Sequence, residues 1–277
     1  MTRPYAEVIG DPISHSKSPA IHGFWLEALR IEADYRAAHV TPDGLAAYFA
    51  ARRDDSDWRG CNITIPHKQA ALDLVEDRGG VRASIGAVNT VIRDGAALVG
   101  TNTDAGGFYA PIAGLELEGA HAVVIGAGGA ARAILFALSR LGIGRVTIQN
   151  RNVLKAAALL GSFGLKGDSV PLGSPLPPAA LVVNTSSLGM TGYPPLELDL
   201  SPLPDDAVVY DIVYAPLETD LLAQARDREL HTVDGLDMLI GQAALAFELF
   251  FGAEPPRDRD EELRAILTPG RSPGQAI

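Results

Sequence analysis

The sequence predicts an α/β protein built on parallel sheets covered by helices, and three observations lead there. Strand-like β-branched runs alternate with helix-like periodic runs along most of the chain. One such run, AVVIG, leads through a glycine-rich turn into a helix, as in a dinucleotide-binding unit. The 277 residues, 47% hydrophobic and 21% charged, are enough for two folded domains.

The elements come in order along the chain. YAEVIG predicts a first strand. Ser18-Pro19 predicts a helix start, with Ser18 as N-cap and Pro19 at the first helical position, and AIHGFWLEALR carries the helical period. ADYRAAHV predicts a second strand, and Thr41-Pro42 repeats the helix-start signal before DGLAAYFAARR. NITIP is β-branched and stops at Pro66, which has no N–H for a sheet ladder. A helix through QAALDLVED and two short strands, AVNTVI and ALVG, come next. From residue 121 the pattern gives AVVIG, a helix through AARAILFALSRLG, the strand RVTIQN and a helix from about Val153. ALVVNTS and AVVYDIVY predict strands, and TDLLAQARDR and DMLIGQAALAFELFFG predict helices. Residues 164–180 and the tail after Thr268, rich in Pro and Gly, predict a loop and a frayed end.

Composition narrows the function classes. A net charge of -11 repels a nucleic-acid backbone, so no nucleic-acid partner is expected. Cys61 is the only cysteine, which rules out an intrachain disulfide and a cysteine-based metal cluster; no metal is expected. No apolar run reaches the roughly 20 residues of a membrane span, and MTRPYAEVIG lacks a signal-peptide core. A cytoplasmic protein without a membrane partner is the expectation.

In AVVIGAGGAARA, Gly126, Gly128 and Ala131 fill the pattern G-x-G-x-x-G/A between strand and helix. The first glycine permits the turn, the second lets a pyrophosphate approach, and the small third residue allows close helix–strand packing. Free N–H groups at the helix start then favour the anion. An NAD site usually carries an acidic residue about 20 positions on, at the end of the next strand. Here QNRN offers neither Gln149 nor Asn150 as an acid but puts Arg151 there, with Lys155 one turn later. Two cations at a helix start oppose the dipole, so a 2′-phosphate ligand accounts for them, and the cofactor predicted is NADP.

NITIPHK delivers Lys68 just past a strand end, with Asn62 and Thr64 on one side of the alternating strand. From these residues alone, a solvated lysine at a helix start is the better reading.

The motifs GDPISHSKSPAIH, NITIPHK, GAVNTV, TNTDAGGF, GAGGAARA, NRNVLK, NTSSLGM, YDIVY and DGLDMLIGQAA occur in this order between about residue 5 and residue 252. In order and spacing the chain resembles the shikimate/quinate dehydrogenase family. The resemblance implies NADP-dependent interconversion of 3-dehydroshikimate and shikimate, on the route to aromatic amino acids. It also implies an N-terminal α/β substrate domain with a mostly parallel sheet, formed by residues 1–103 and 236–277. A Rossmann-like NADP-binding domain at 104–235 is inserted, with a cleft between the two. Lys68 and Asp104 fall on the family's catalytic pair. Ser16, Ser18, Asn62, Thr64, Asn89, Tyr214 and Gln242 fall, with that pair, on the positions that bind substrate. Gly126, Ala127, Gly128, Gly129, Ala130, Asn150, Arg151, Lys155, Ile212 and Gly235 fall on the cofactor site. Asn152, Lys155, Asp220 and Asp237 depart from the residues common in the family. Quinate or an aminated shikimate analogue with relaxed cofactor use, and a non-catalytic dinucleotide-binding regulator, are the alternatives. A monomer or homodimer is expected.

Overall fold

The computed structural model describes residues 3–268. These fall into two compact units, residues 3–103 with 242–268, and Asp104–Gly241.

In the first unit, β1 (Tyr5–Gly10), β2 (Asp34–His39), β3 (Trp58–Ile63), β4 (Thr90–Asp94) and β5 (Ala97–Thr101) form one sheet in the order β2-β1-β3-β4-β5. β1 runs parallel to β2 and β3, while β4 and β5 close one edge as an antiparallel hairpin. Gly95 in the hairpin turn has φ +62, a conformation that costs other residues energy. Helices α1 (Ser18–Ala28), α2 (Leu45–Arg53) and the short α3 (Val81–Ser84) also belong to this unit.

The second unit contains α4 (Asp104–Tyr109), β6 (His121–Ile125), α5 (Gly129–Arg140), β7 (Arg145–Gln149), α6 (Val153–Ser162), β8 (Gly167–Val170), β9 (Leu181–Asn184), β10 (Val208–Asp211), α7 (Asp220–Asp227) and β11 (His231–Val233). Its six strands are all parallel, in the order β11-β10-β9-β6-β7-β8. Helices on both faces explain why the central strands read as continuous apolar runs. Val124 and Val183 join one buried cluster with Ile134 and Leu138 of α5, and Val123 and Val182 join another with Leu221 and Leu222 of α7. Helix α8 (Gly235–Phe251) starts in this unit and ends in the first, the division falling between Gly241 and Gln242. Helix α9 (Asp260–Leu267) returns to α1.

Several local expectations are corrected. Ser18 is the first residue of α1 rather than its cap; Lys17, already in the right-handed helical region, precedes it. Within QAALDLVED only a 3-10 turn at Ala70–Asp73 forms. Glu76 instead pairs beside β5, its N–H donating to Leu98 at 2.8 Å and its carbonyl accepting from Gly100 at 2.9 Å, so sheet pairing overrides helical period. Strand β8 lies in the stretch expected to be loop, because an exposed edge strand such as GDSV carries no apolar signal. β11 and α9 are further elements that the sequence pattern does not single out. The tail expected to be frayed lies outside the described residues.

Beside the first sheet, α1 and α8 enclose an aromatic cluster. His22 stacks on Tyr35 with ring centroids 3.9 Å apart and an interplanar angle of 2°, edge-on to Trp25 and beside Phe247. Neither His22 ring nitrogen has a hydrogen-bond partner among the described residues. Burial pushes the imidazole pKa down from 6.5 to about 3. Between these values the unfolded chain binds the extra proton, so stability falls as pH drops from about 6.5 toward 3, by up to about 1.4 kcal/mol per pH unit. Urea midpoints should therefore fall more steeply from pH 6.5 to 4 for the wild type than for His22→Phe.

Candidate active site

In the first unit, the chain leaving β3 is pinned on both sides. Thr64 N–H donates to Ile9 at 2.9 Å, Asp11 N–H to Ile65 at 3.0 Å, and Val88 N–H to the Lys68 carbonyl at 2.7 Å. His67 is buried, its Nε2 2.6 Å from the Val40 carbonyl, and so serves as a strut for the turn. Lys68 is half-buried at the end of this turn. The Ser16–Ser18 segment is compact, with Ser18 N–H donating to Ser16 Oγ at 3.3 Å and Lys17 Nζ donating to the Leu267 carbonyl of α9 at 2.6 Å.

A buried polar network connects several of the predicted substrate residues. Tyr35 donates its hydroxyl to Asn62 Oδ1 at 2.6 Å, and Asn62 Nδ2 donates to Thr90 Oγ1 at 3.0 Å. Thr90 donates to Asn89 Oδ1 at 3.0 Å, which also accepts from Thr103 N–H at 2.7 Å. Asn89 Nδ2 donates to Thr103 Oγ1 at 2.9 Å and to Gln242 Oε1 at 3.4 Å, across 153 positions of sequence. Asn62, Asn89 and Gln242 thus meet in one unit, and a partnered network of this kind fixes amide orientations. Sequence reasoning misses Tyr35, Thr90 and Thr103, because alternation along a strand does not say which hydroxyls converge. Ser16 and Thr64 lie half-buried in the same unit.

In the second unit, Gly126 has φ +104, and a Cβ there would meet Thr185 Oγ1 at 2.8 Å. The NTSS segment supports this turn, since Thr185 donates its hydroxyl to the Ile125 carbonyl at 2.7 Å and Asn184 Oδ1 accepts from Ser186 N–H at 3.0 Å. Gly128 precedes α5, and a Cβ there would meet nothing within 4 Å, so no packing within the protein calls for glycine at this position. An open, uncapped helix start of this kind suits a pyrophosphate. Ala131 is fully buried, as close helix–strand packing requires. Ala127 is buried, and Gly129 and Ala130 open the helix.

Strand β7 ends at Gln149, and Asn152 caps α6, its side chain accepting from Lys155 N–H at 3.0 Å. Asn150 Nδ2 donates to the Asn152 carbonyl at 2.8 Å. Arg151 and Lys155 are exposed at this helix start, where a phosphate could reach both. In YDIVY, the buried Asp211 accepts from Asn184 Nδ2 at 2.9 Å, Val213 N–H at 3.0 Å and the Thr219 hydroxyl at 2.7 Å. Desolvation nevertheless raises its pKa from the ordinary aspartate value. This knot sets the β10 end, where Ile212 and Gly235 are so close that a Cβ on Gly235 would collide with the Ile212 carbonyl. Burial also raises the Tyr214 pKa. Asp220 opens α7 after the Thr219 cap, and Asp237 lies in the first turn of α8; both positions favour a carboxylate. Asp104 opens α4 and is buried.

Comparison with known proteins identifies the family. The profile of the shikimate dehydrogenase substrate binding domain matches residues 8–91, that of shikimate / quinate 5-dehydrogenase residues 110–173, and that of the shikimate 5'-dehydrogenase C-terminal domain residues 235–263. The NADP(+) shikimate dehydrogenase of Sphingopyxis alaskensis is 67% identical over 266 residues, covering 95% of this chain and 97% of its own length. The solved shikimate 5-dehydrogenase of Thermus thermophilus, in complex with NADP(H) and shikimate, has a TM-score of 0.85 and 37% identity, with 96% of this chain and all of that one covered. Quinate dehydrogenase from Corynebacterium glutamicum, in complex with NAD, has a TM-score of 0.82 and 30% identity, with 95% and 99% covered. Matches of this extent at both levels mean that the chain belongs to the shikimate dehydrogenase family.

Proposed function

We infer that the protein catalyses the NADP-dependent, reversible reduction of 3-dehydroshikimate to shikimate. The observation that carries this reading is the 67% identity, over almost the whole chain, to an enzyme named for that reaction. The geometry supports it with a ring of short polar side chains in one unit and an open glycine turn with cations at the next strand end in the other.

Bound NADP would supply hydride exchange with the carbon that bears the reacting hydroxyl. The second unit would hold it through the Gly126–Ala130 backbone at the pyrophosphate, Asn150, Arg151 and Lys155 at the adenosine phosphate, and Ile212 and Gly235 toward the nicotinamide. A hydroxyl that gives up hydride from its carbon must also release its proton, and we assign that proton's traffic to Lys68 and Asp104. Ser16 and Ser18 bind the substrate carboxylate, with Thr64 and Tyr214 beside them. Asn62, Asn89 and Gln242 read the hydroxyls with Asp104. The substrate-binding part is taken as residues 1–103 with 236–277, around an NADP-binding part at 104–235. A cytoplasmic setting and a monomeric or homodimeric state belong to the same proposal.

The test monitors absorbance of reduced nicotinamide while shikimate and quinate are each offered with NADP and with NAD. Shikimate with NADP should be turned over fastest. Faster turnover of quinate with NAD would overturn the assignment in favour of the quinate alternative. Arg151→Ala should raise the KM for NADP roughly tenfold or more while barely changing that for NAD, the expected loss of a charge-assisted bond to phosphate. Equal changes for both cofactors would remove Arg151 from the phosphate site.

A further inference from the structure

We propose that Tyr35 is a positioning residue of the substrate site, its phenol hydroxyl holding Asn62 in the orientation that binds a substrate hydroxyl. The proposal rests on the shikimate reading above. Tyr35 lies on β2, which supplies none of the predicted substrate residues. Its hydroxyl donates to Asn62 Oδ1 at 2.6 Å. One buried hydroxyl therefore ties β2 to the end of β3.

The consequence for Asn62 is specific. Asn62 has Oδ1 committed to Tyr35 and Nδ2 to Thr90, so only one orientation of its amide satisfies both bonds. One N–H and one lone pair are left over for a ligand. The ring is fixed independently, stacked on His22 at 3.9 Å and tilted against Phe250 at 6.4 Å. Packing alone would need only a phenyl ring. The hydroxyl, bonded to Asn62 on another strand, has the separate task of alignment.

Tyr35→Phe separates the two tasks. The KM for shikimate should rise roughly tenfold, with kcat and the KM for NADP changed by less than about twofold, since the lost bond orients a group that binds substrate. Tyr48→Phe is the control: it loses a comparable bond, to Glu7 at 2.7 Å, and should lower the melting temperature without moving the KM for shikimate. A Tyr35→Phe enzyme that is less stable but keeps its KM, or that loses kcat alone, would reduce Tyr35 to a structural residue and overturn the proposal. Should that variant fail to fold, Thr90→Val removes the other anchor of Asn62 and should raise the same KM; an unchanged KM there overturns the proposal equally. Wild-type protein inert toward shikimate would sink the functional reading and this proposal together, whereas active wild type with an unmoved variant sinks only the latter.

Discussion

Lys68→Ala is expected to lower the turnover number for shikimate by ~10²–10⁴-fold, the usual contribution of general acid–base help. NADP binding should be nearly unchanged, because the glycine turn at Gly126–Ala130 belongs to the other unit. The backbone around Lys68 is held by bonds that do not involve its side chain, from Val88 N–H to its carbonyl and from His67 N–H to Thr64 at 3.1 Å. Truncation should therefore remove the ammonium without moving the turn. A lysine that only bound substrate would show its loss in the KM for shikimate instead, so the split between kcat and KM tells the roles apart. Asp104→Asn should be severe for the same reason, and the double variant little worse than the worse single one, as for residues acting as a unit. Near-normal turnover by Lys68→Ala would end the assignment.

Arg52→Ala should cost about 3 kcal/mol of stability, the low end of the range for breaking a buried ion pair. Glu7 sits on β1 with its side chain only 5% exposed, and Arg52 Nε and Nη2 reach its two oxygens at 2.9 and 3.0 Å. Tyr48 and Trp58 also donate to Glu7, at 2.7 and 3.1 Å, so the carboxylate would keep two neutral donors after the change. Arg52 itself is 23% exposed, which lets water soften the loss. Denaturant midpoints would record the drop, while the KM for shikimate should hold. A loss below 1 kcal/mol, within the range of surface pairs, would mean that water reaches Glu7 more freely than its burial implies.

The parts of this fold legible in sequence are those where local chemistry and burial agree. β6, β9 and β10 are buried on both faces, so their composition alone marks them. NITIPHK likewise announces the end of a strand, which closes at Ile63, with Pro66 and Lys68 in the turn beyond it. The misses share another cause. QAALDLVED has helical spacing, yet Glu76 is claimed by β5, a pairing decided by the rest of the sheet. Ser18-Pro19 reads the same whether serine caps the helix or begins it, and only the folded backbone puts Lys17 at the cap position. The glycine turn and its cations can be placed because strand, turn and helix are contiguous. The amide network cannot, because Asn62, Asn89 and Gln242 come from three separate stretches and meet only after folding.

The return of α8 to the first unit also bears on how the protein is made. A ribosome releases residues 3–103 early, yet Gln242, Phe247 and Phe250 emerge only after the whole second unit has been synthesised. At about 5–20 residues per second, the nascent first unit waits several seconds or more for them. Meanwhile Trp25, His22 and Tyr35 lack the aromatic neighbours that later cover them, and the Asn89 amide lacks Gln242. The second unit, Asp104–Gly241, is continuous in sequence. Birth order and completion order are thus reversed: the part that begins the chain is the last to close. Stalled chains ending at residue 241 should therefore yield a protease-resistant fragment from 104–241 and a sensitive one from the N-terminal residues.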